Sequence, residues 1–401
     1  MKILFISLGC DKNLADSEEM LGLLTGSGHE IVDSEEEAEA IVINTCCFIH
    51  DAKEESVNTI LEMAEYKKSG TCKVLIVTGC MAQRYKEEIT QEIPEVDAVL
   101  GTTSYGDIVK ALNEAQAGNV FQEFRDINDL PEDSGRRVIT TGGHFGYLKI
   151  AEGCDKHCTY CIIPSLRGKF RSVPEERLLK QAEYMASQGV KELILVAQET
   201  TVYGTDLYGK KTLHILLKKL CQIKGIRWIR VLYCYPEEIY DELIQVMKEE
   251  KKICHYLDLP IQHASDRILR RMGRRTSKAQ LVEIITKLRK EIPDIVLRTS
   301  LITGFPGETE EDHQELMEFV DEMEFDRLGV FTYSPEEGTP AESMEGQVPE
   351  ELKEERRDEI MELQQEISLE KGNARIGQEL LVMIEGKVSG ESSYIGRTYG
   401  D

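Results

Sequence analysis

Short runs of Ile, Val and Leu recur in the first hundred residues, at Lys2–Leu8, Ala40–Asn44, Lys73–Thr78 and Asp97–Leu100. They lack the apolar–polar alternation of a strand with one wet face, so they predict strands buried on both sides. The intervening segments Asp16–Leu24 and Asp51–Tyr66 carry apolar residues at helical spacing, with Asp16 or Ser17 as a candidate cap. This alternation predicts an α/β fold: a doubly wound parallel sheet with helices on both faces. Residues 116–143 are then largely polar, with Pro131, Asp133, Ser134 and paired glycines at the end, and read as a linker.

A second α/β series follows. Its candidate strands are Tyr147–Ala151, Glu192–Ala197, Trp228–Leu232, Tyr256–Pro260, Val296–Ile302 and Arg327–Thr332, with amphipathic helices such as Glu175–Gln188 and Lys278–Glu291 between them. Six β/α units predict a full or partial barrel whose chemistry gathers at the carboxyl ends of the strands. Pro349–Asn373 reads as a charged helix packing one face through Ile360, Leu363 and Ile367. Glu379–Tyr399, punctuated by Gly386, Gly390 and Gly396, reads as short strands opening a small β-domain.

The length of 401 residues suggests two to three domains, and 41% hydrophobic content excludes global disorder. A net charge of −25 disfavours a long nucleic-acid track and suits a basic protein partner better. The apolar run before Cys10 is about six residues, below the roughly seven to fifteen of a signal segment. No stretch is long enough to span a bilayer, so a soluble, cytoplasmic protein with no membrane partner is expected.

Eleven cysteines, an odd number in a large chain, favour metal ligation over a disulfide framework. Cys154, Cys158 and Cys161 are spaced C-x-x-x-C-x-x-C directly after the first strand of the second series. A cubane iron–sulfur cluster usually takes four thiolates, so three leave one iron open to the amino and carboxylate groups of S-adenosylmethionine. Tyr160 is placed to pack beside the cluster or the adenine. The rivals are a zinc site with His157 as fourth ligand, set back by the shortness of the loop, and unrelated buried thiols.

Cys10, Cys46 and Cys80 each follow a strand of the first series directly. In a doubly wound sheet the strands' carboxyl ends line one crevice, so these thiols can converge on a second cluster with an open iron for a transferable sulfur; small core cysteines are the alternative. Cys47 can compete with Cys46. Cys72 precedes its strand and belongs at the opposite edge, while Cys221, Cys234 and Cys254 read as core residues.

Other strand-end residues are open to two readings. Gly304, in Thr303–Glu308, is either part of an ordinary turn or a place where backbone approaches the cofactor's adenosine. Arg298 is either an ion-pair member or a grip on the cofactor carboxylate. Glu199 either binds the cofactor's amino group or caps the next segment, and Gln262, beside a structural His263, is similar. Arg167, Lys169 and Arg171 are either a solvated face or a grip on a carboxylate.

The segments Ser7–Glu18, Gly153–Ser172 (with Cys154-Asp155-Lys156-His157-Cys158-Thr159-Tyr160-Cys161) and Gln262–Arg267 resemble the radical S-adenosylmethionine methylthiotransferases, and most closely their RimO type. The resemblance runs along essentially the whole chain; Tyr333–Thr339 is shared more widely. It implies an N-terminal methylthiotransferase domain over 1–125, a linker over 126–140, a radical core over 141–373, and over 374–401 a TRAM-like segment that is incomplete. It implies an auxiliary [4Fe–4S] cluster on Cys10, Cys46 and Cys80, and a radical-generating one on Cys154, Cys158 and Cys161.

The activity so implied adds a methylthio group to the β-carbon of an aspartate on small-subunit ribosomal protein number twelve. One S-adenosylmethionine supplies the methyl group, a second the hydrogen-abstracting radical, and the two clusters face one pocket. An electron donor such as flavodoxin or ferredoxin is expected; the sulfur donor is left open. The rivals are a tRNA-adenosine methylthiotransferase of the MiaB type and a non-catalytic iron–sulfur or zinc-binding protein.

Overall fold

The structure, a computed structural model, describes residues 1–132 and 135–400; Asp133 and Ser134 of the polar stretch, and Asp401, lie outside the described residues. The chain forms two compact units: residues 1–140, 151–156 and 161–173 make the first, and residues 141–150, 157–160 and 174 onward the second.

In the first unit, strands β1 (Lys2–Ser7), β2 (Glu30–Val32), β3 (Ala40–Thr45), β4 (Val74–Gly79), β5 (Ala98–Leu100) and β6 (Phe121–Glu123) form one sheet in the order β2-β1-β3-β4-β5-β6. Every pairing is parallel. Helices α1 (Asp11–Gly26), α2 (His50–Ser69), α3 (Cys80–Glu92) and α4 (Ile108–Gln116) cover it. Ile41, Ile43, Leu75 and Val77 pack with Ile60 and Met63 of α2. The alternate residues Val42, Val74 and Ile76 pack with Met20 and Leu24 of α1 and Leu112 of α4. All twelve residues of β3 and β4 are buried, which is why they read as unbroken apolar runs. The order turns back between β1 and β3, and a crevice opens outside their carboxyl ends.

Two local expectations need correcting. Helix α1 begins at Asp11, directly after Cys10, so Asp16 and Ser17 lie inside it rather than capping it. Their polarity serves tertiary partners instead: Ser17 Oγ accepts from Asn44 Nδ2 at 2.9 Å, and Asp16 pairs with Arg167. The polar stretch 116–143 contains β6 and is tied to α1, because buried Glu18 accepts from Arg137 Nε at 2.8 Å and from the Thr140 N–H at 2.7 Å. The three-residue strands β2 and β6 are too short to show a period.

In the second unit β7 (Phe145–Lys149) precedes a short antiparallel pair that folds with the first unit, β8 (Ala151–Glu152) and β9 (Arg171–Ser172). Strands β10 (Glu192–Val196), β11 (Trp228–Val231), β12 (Ile253–Asp258), β13 (Val296–Thr303) and β14 (Arg327–Thr332) then extend β7 into a parallel sheet in sequence order. Each end strand, β7 and β14, has one neighbour, so this is a partial barrel. The helix Glu350–Asn373 buries Ile360 and Ile367 of its stripe, while Leu363 is half-buried and Lys353, Arg356 and Gln364 complete the buried face.

The last strands, β15 (Val382–Lys387) and β16 (Tyr394–Thr398), form an antiparallel hairpin consistent with a TRAM-like segment. Glu192, fully buried at the start of β10, accepts from Arg230 Nε at 2.8 Å and pairs with Arg397 of β16. This ties the hairpin to the amino ends of the barrel strands, away from the catalytic rim of such folds. Among the described residues no helix is long and apolar enough to cross a membrane.

Candidate functional site

Cys10, Cys46 and Cys80 sit at the carboxyl ends of β1, β3 and β4, around the crevice of the first sheet. Asn13 organises this edge: its Nδ2 donates to the carbonyls of Leu8 (3.2 Å) and Thr45 (2.9 Å), joining the ends of β1 and β3. Its Oδ1 accepts from the Cys80 thiol at 3.8 Å and from Arg167 Nη2. Gly9, at φ +88°, leaves room for Cys46: a Cβ there would lie 2.7 Å from Cys46 Cβ and 3.0 Å from its Sγ. Cys80 opens α3, where the helix dipole favours a thiolate.

Cys10 is exposed, while Cys46 and Cys80 are buried. Burial raises the Cys46 thiol pKa and pushes that of Cys80 up to about 11, against the pull of the nearby Arg167 charge. Each of these two thiols also feels the charge of Cys10, so the three are electrostatic neighbours. Cys47 is fully buried in the apolar layer, with its pKa pushed up to about 12 by burial. Cys72 bonds the Val74 carbonyl at the opposite end of β4.

Arg167 ends α5 (Ile163–Arg167) and is buried in the first unit. Its Nη1 lies 2.8 Å from Asp16 Oδ2 and 3.5 Å from Glu152 Oε2. Of the two readings for the basic cluster, Arg167 takes the carboxylate grip, on carboxylates of its own chain.

Among the described residues no three His, Cys, Asp or Glu side chains are arranged to hold a single metal ion. A cubane asks for a different spacing, because each thiolate bonds a different iron. Three thiols on three strand ends, one beside a glycine that clears space and one beside a buried cation, are a donor set suited to such a cluster.

In the second cysteine set, Cys154 and Cys161 fold with the first unit and Cys158 with the second. The Cys154 N–H bonds the Gly168 carbonyl at 3.1 Å. Cys158 Sγ lies 3.7 Å from the Tyr235 hydroxyl. The stretch 157–160 is held from two sides: the Thr159 N–H donates to the Met272 carbonyl, and the Thr159 carbonyl accepts from the Ala341 N–H, both at 2.9 Å. Tyr160 stands edge-on to buried Phe305, with ring centroids 6.5 Å apart.

The remaining strand-end residues all have partners within the chain. Arg298 Nη1 bonds Asp258 at 2.6 Å. Glu199 is buried and accepts from the Thr201 N–H at 3.0 Å, closing a local turn, while the helix that follows has Gly204 as its N-cap with no side-chain bond. Gln262 has φ +72° and bridges to β13 through its backbone. The open side of Gly304, at φ +68°, is filled by the Lys353 side chain. Buried His263 faces Glu308 Oε2 at 3.4 Å, while its Nδ1 accepts from the Ala264 and Ser265 N–H groups.

Two residues escaped the sequence reading. Asn13 carries a usable signal, an amide three residues after a strand-end cysteine. Arg274 carries none, since Arg270, Arg271, Arg274 and Arg275 form one basic run of which Arg274 is the buried member.

Residues 2–101 match the family model described as "Uncharacterized protein family UPF0004", and residues 148–320 match the radical SAM superfamily. A curated protein of Lachnoclostridium phytofermentans, "Ribosomal protein uS12 methylthiotransferase RimO", is 65% identical over 100% of this chain and 91% of its own length. The protein of the same name from Clostridium perfringens is 52% identical over 99% of this chain and 89% of its own. Among solved structures, the radical S-adenosylmethionine methyltransferase TsrM from Kitasatospora setae shares the fold at TM-score 0.61 and 12% identity, over 85% of this chain and 74% of that one. The radical enzyme OxsB aligns at TM-score 0.56 and 14% identity, over 92% of this chain and 56% of that one. The chain is therefore a transferase that belongs to the RimO-type radical S-adenosylmethionine methylthiotransferases.

Proposed function

We propose that this chain adds a methylthio group to the β-carbon of an aspartate on ribosomal protein uS12, working with two [4Fe–4S] clusters and S-adenosylmethionine. The substrate is taken from the names of the relatives. The reading rests most on one observation: Cys10, Cys46 and Cys80, far apart in sequence, end three adjacent strands around Asn13. They are the ligands of the auxiliary cluster, and Cys154, Cys158 and Cys161 those of the radical-generating one. When bound, the clusters and S-adenosylmethionine supply the electron, carbon radical, methyl group and sulfur that the reaction needs.

The chain's own residues hold and shape these sites. Asn13 fixes the thiol-bearing strand ends, and Arg167 places a positive charge beside Cys80. Tyr160, Glu199, Gln262, Arg298 and Gly304 are assigned to the S-adenosylmethionine side of the barrel. The acidic surface suits a basic ribosomal protein. A flavodoxin or ferredoxin as electron donor, action in the cytoplasm, and a division of labour over 1–125, 141–373 and 374–401 belong to the same proposal.

The test incubates anaerobically reconstituted enzyme, a reductant and S-adenosylmethionine with uS12 or with tRNA, and follows the mass of each. A methylthio gain on uS12 aspartate is expected; a gain on tRNA alone overturns the substrate. A Cys154/Cys158/Cys161 triple-Ala variant should keep about four irons of about eight. Complete loss of iron in it would overturn the second cluster.

A further inference from the structure

Arg274 is a cation in an unusual position. Its side chain is 1% exposed, yet its nearest carboxylate, Glu237 Oε2, is 3.7 Å away, beyond hydrogen-bond range. Only Nη2 has a bond, to the Pro260 carbonyl at 3.0 Å. Nε and Nη1 are buried without a partner. Burying a guanidinium with two idle donors costs several kcal/mol unless an anion compensates.

Glu237 supplies part of that compensation at ion-pair distance, and the surroundings indicate where a second anion belongs. The guanidinium lies over the Tyr235 ring, 4.3 Å from its centroid, and the Tyr235 hydroxyl is 3.7 Å from Cys158 Sγ. Tyr160 and Cys158 both act electrostatically on Arg274. The turn that carries Arg274 also carries the cysteine loop. Met272 accepts from the Thr159 N–H, the Arg271 carbonyl accepts from Thr159 Oγ1 at 2.8 Å, and Gly273 lies against the His157 carbonyl. One turn therefore fixes both the Cys158 end of the loop and a fork of unspent N–H donors.

We infer that Arg274 is a positioning residue for the radical-generating cluster, placing a fixed positive charge and free N–H donors beside its Cys158 corner and so raising its reduction potential. The inference rests on the ligand assignment proposed above. The step concerned takes one electron from titanium(III), which becomes titanium(IV), and lowers the cluster from the 2+ to the 1+ state. A nearby cation stabilises the more negative product. Glu237, the closest counter-charge, works the other way.

The test uses full-length protein in a Cys10/Cys46/Cys80 triple-Ala background, reconstituted so that only the barrel cluster is present, with titanium(III) citrate titrations followed by electron paramagnetic resonance. Arg274→Gln should shift the reduction equilibrium at least tenfold toward the oxidised form, 59 mV for a one-electron couple. Arg274→Lys, which keeps the charge, should recover most of that shift. Glu237→Gln should shift it severalfold toward the reduced form. Full iron with an unmoved midpoint in Arg274→Gln overturns the inference. If Arg274→Gln fails to fold or load, Glu237→Gln decides, and a midpoint unchanged or lowered there overturns it. A parent that binds no iron instead refutes the ligand assignment, and the inference falls with it.

Discussion

Arg167 Nη1 donates to Asp16 Oδ2 at 2.8 Å although 151 residues separate the two in the chain. Asp16 lies in the helix that follows Cys10, and Arg167 follows the Cys154–Cys161 loop by six residues. The segment leaving that cysteine loop is thus built into the unit that carries Cys10, Cys46 and Cys80. Arg167 also stands beside Cys80, so one guanidinium serves two carboxylates and a candidate ligand.

Removing that guanidinium should be severe. Arg167→Met would remove the buried cation that Asp16 and Glu152 share, with Arg171 still acting on Glu152. Breaking such a network costs about 3–5 kcal/mol. Denaturant unfolding of the purified variant should register a loss of this size; a loss below about 1 kcal/mol would show that the network is dispensable.

Gly9 offers a sharper probe of the auxiliary site. In Gly9→Ala the new methyl would press on Cys46 Cβ and Sγ in a backbone region that Ala avoids. Iron content after reconstitution should fall from about eight to about four per chain, with S-adenosylmethionine cleavage retained. Retention of all the iron would mean that Cys46 is not a ligand.

Much of this architecture was legible in the sequence, for a physical reason. Strands β3 and β4 are buried on both faces, so Ile41, Val42, Ile43, Leu75, Ile76 and Val77 had to be apolar, and Cys46 and Cys80 are marked by following such runs directly. Polar residues with tertiary partners were harder to read. Asp16 and Ser17 have the chemistry of caps, but their bonds go to Arg167 and to Ser7 and Asn44, and no local pattern announces a distant partner. Arg167, Lys169 and Arg171 look alike in sequence, and only packing makes Arg167 the buried one. The edge strand Phe121–Glu123 was hidden in polar sequence because an edge needs little apolar cover.

Glu308 predicts a pH dependence. It is buried, and burial works to raise its pKa. His263, the Gly304 N–H and the Arg356 charge at 2.9 Å more than offset this, so its pKa is lowered. A carboxyl depressed in the folded state contributes stability above its unfolded pKa of about 4.3, and that stability is lost as pH falls through the folded value. Glu308→Gln leaves Arg356 only the exposed Glu310 at 3.3 Å as a carboxylate partner and should cost about 1–3 kcal/mol at neutral pH. It should also flatten the acid limb of the stability curve below about pH 4. Urea midpoints measured across that range check both, and an unchanged slope would remove Glu308 from the account.

Gly273→Ala is the counterpart of Gly9→Ala at the other cysteine set. Gly273 has φ +72°, and a Cβ there would sit 2.7 Å from the His157 carbonyl oxygen, within the C-x-x-x-C-x-x-C loop. The clash is with backbone, so no side-chain rotation relieves it; the loop carrying Cys158 and Tyr160 has to move. The left-handed conformation alone costs an Ala about 1–2 kcal/mol, which a folded domain tolerates. Displacing a cluster ligand is the larger consequence, because a cubane held by three thiolates has none to spare. The variant should therefore fold, retain about four irons on Cys10, Cys46 and Cys80, and release no 5′-deoxyadenosine from S-adenosylmethionine under titanium(III) citrate. The two glycine variants should fail in opposite halves of the same assay. If Gly273→Ala loses the auxiliary iron and keeps cleavage, the two cysteine sets have been assigned to the wrong clusters.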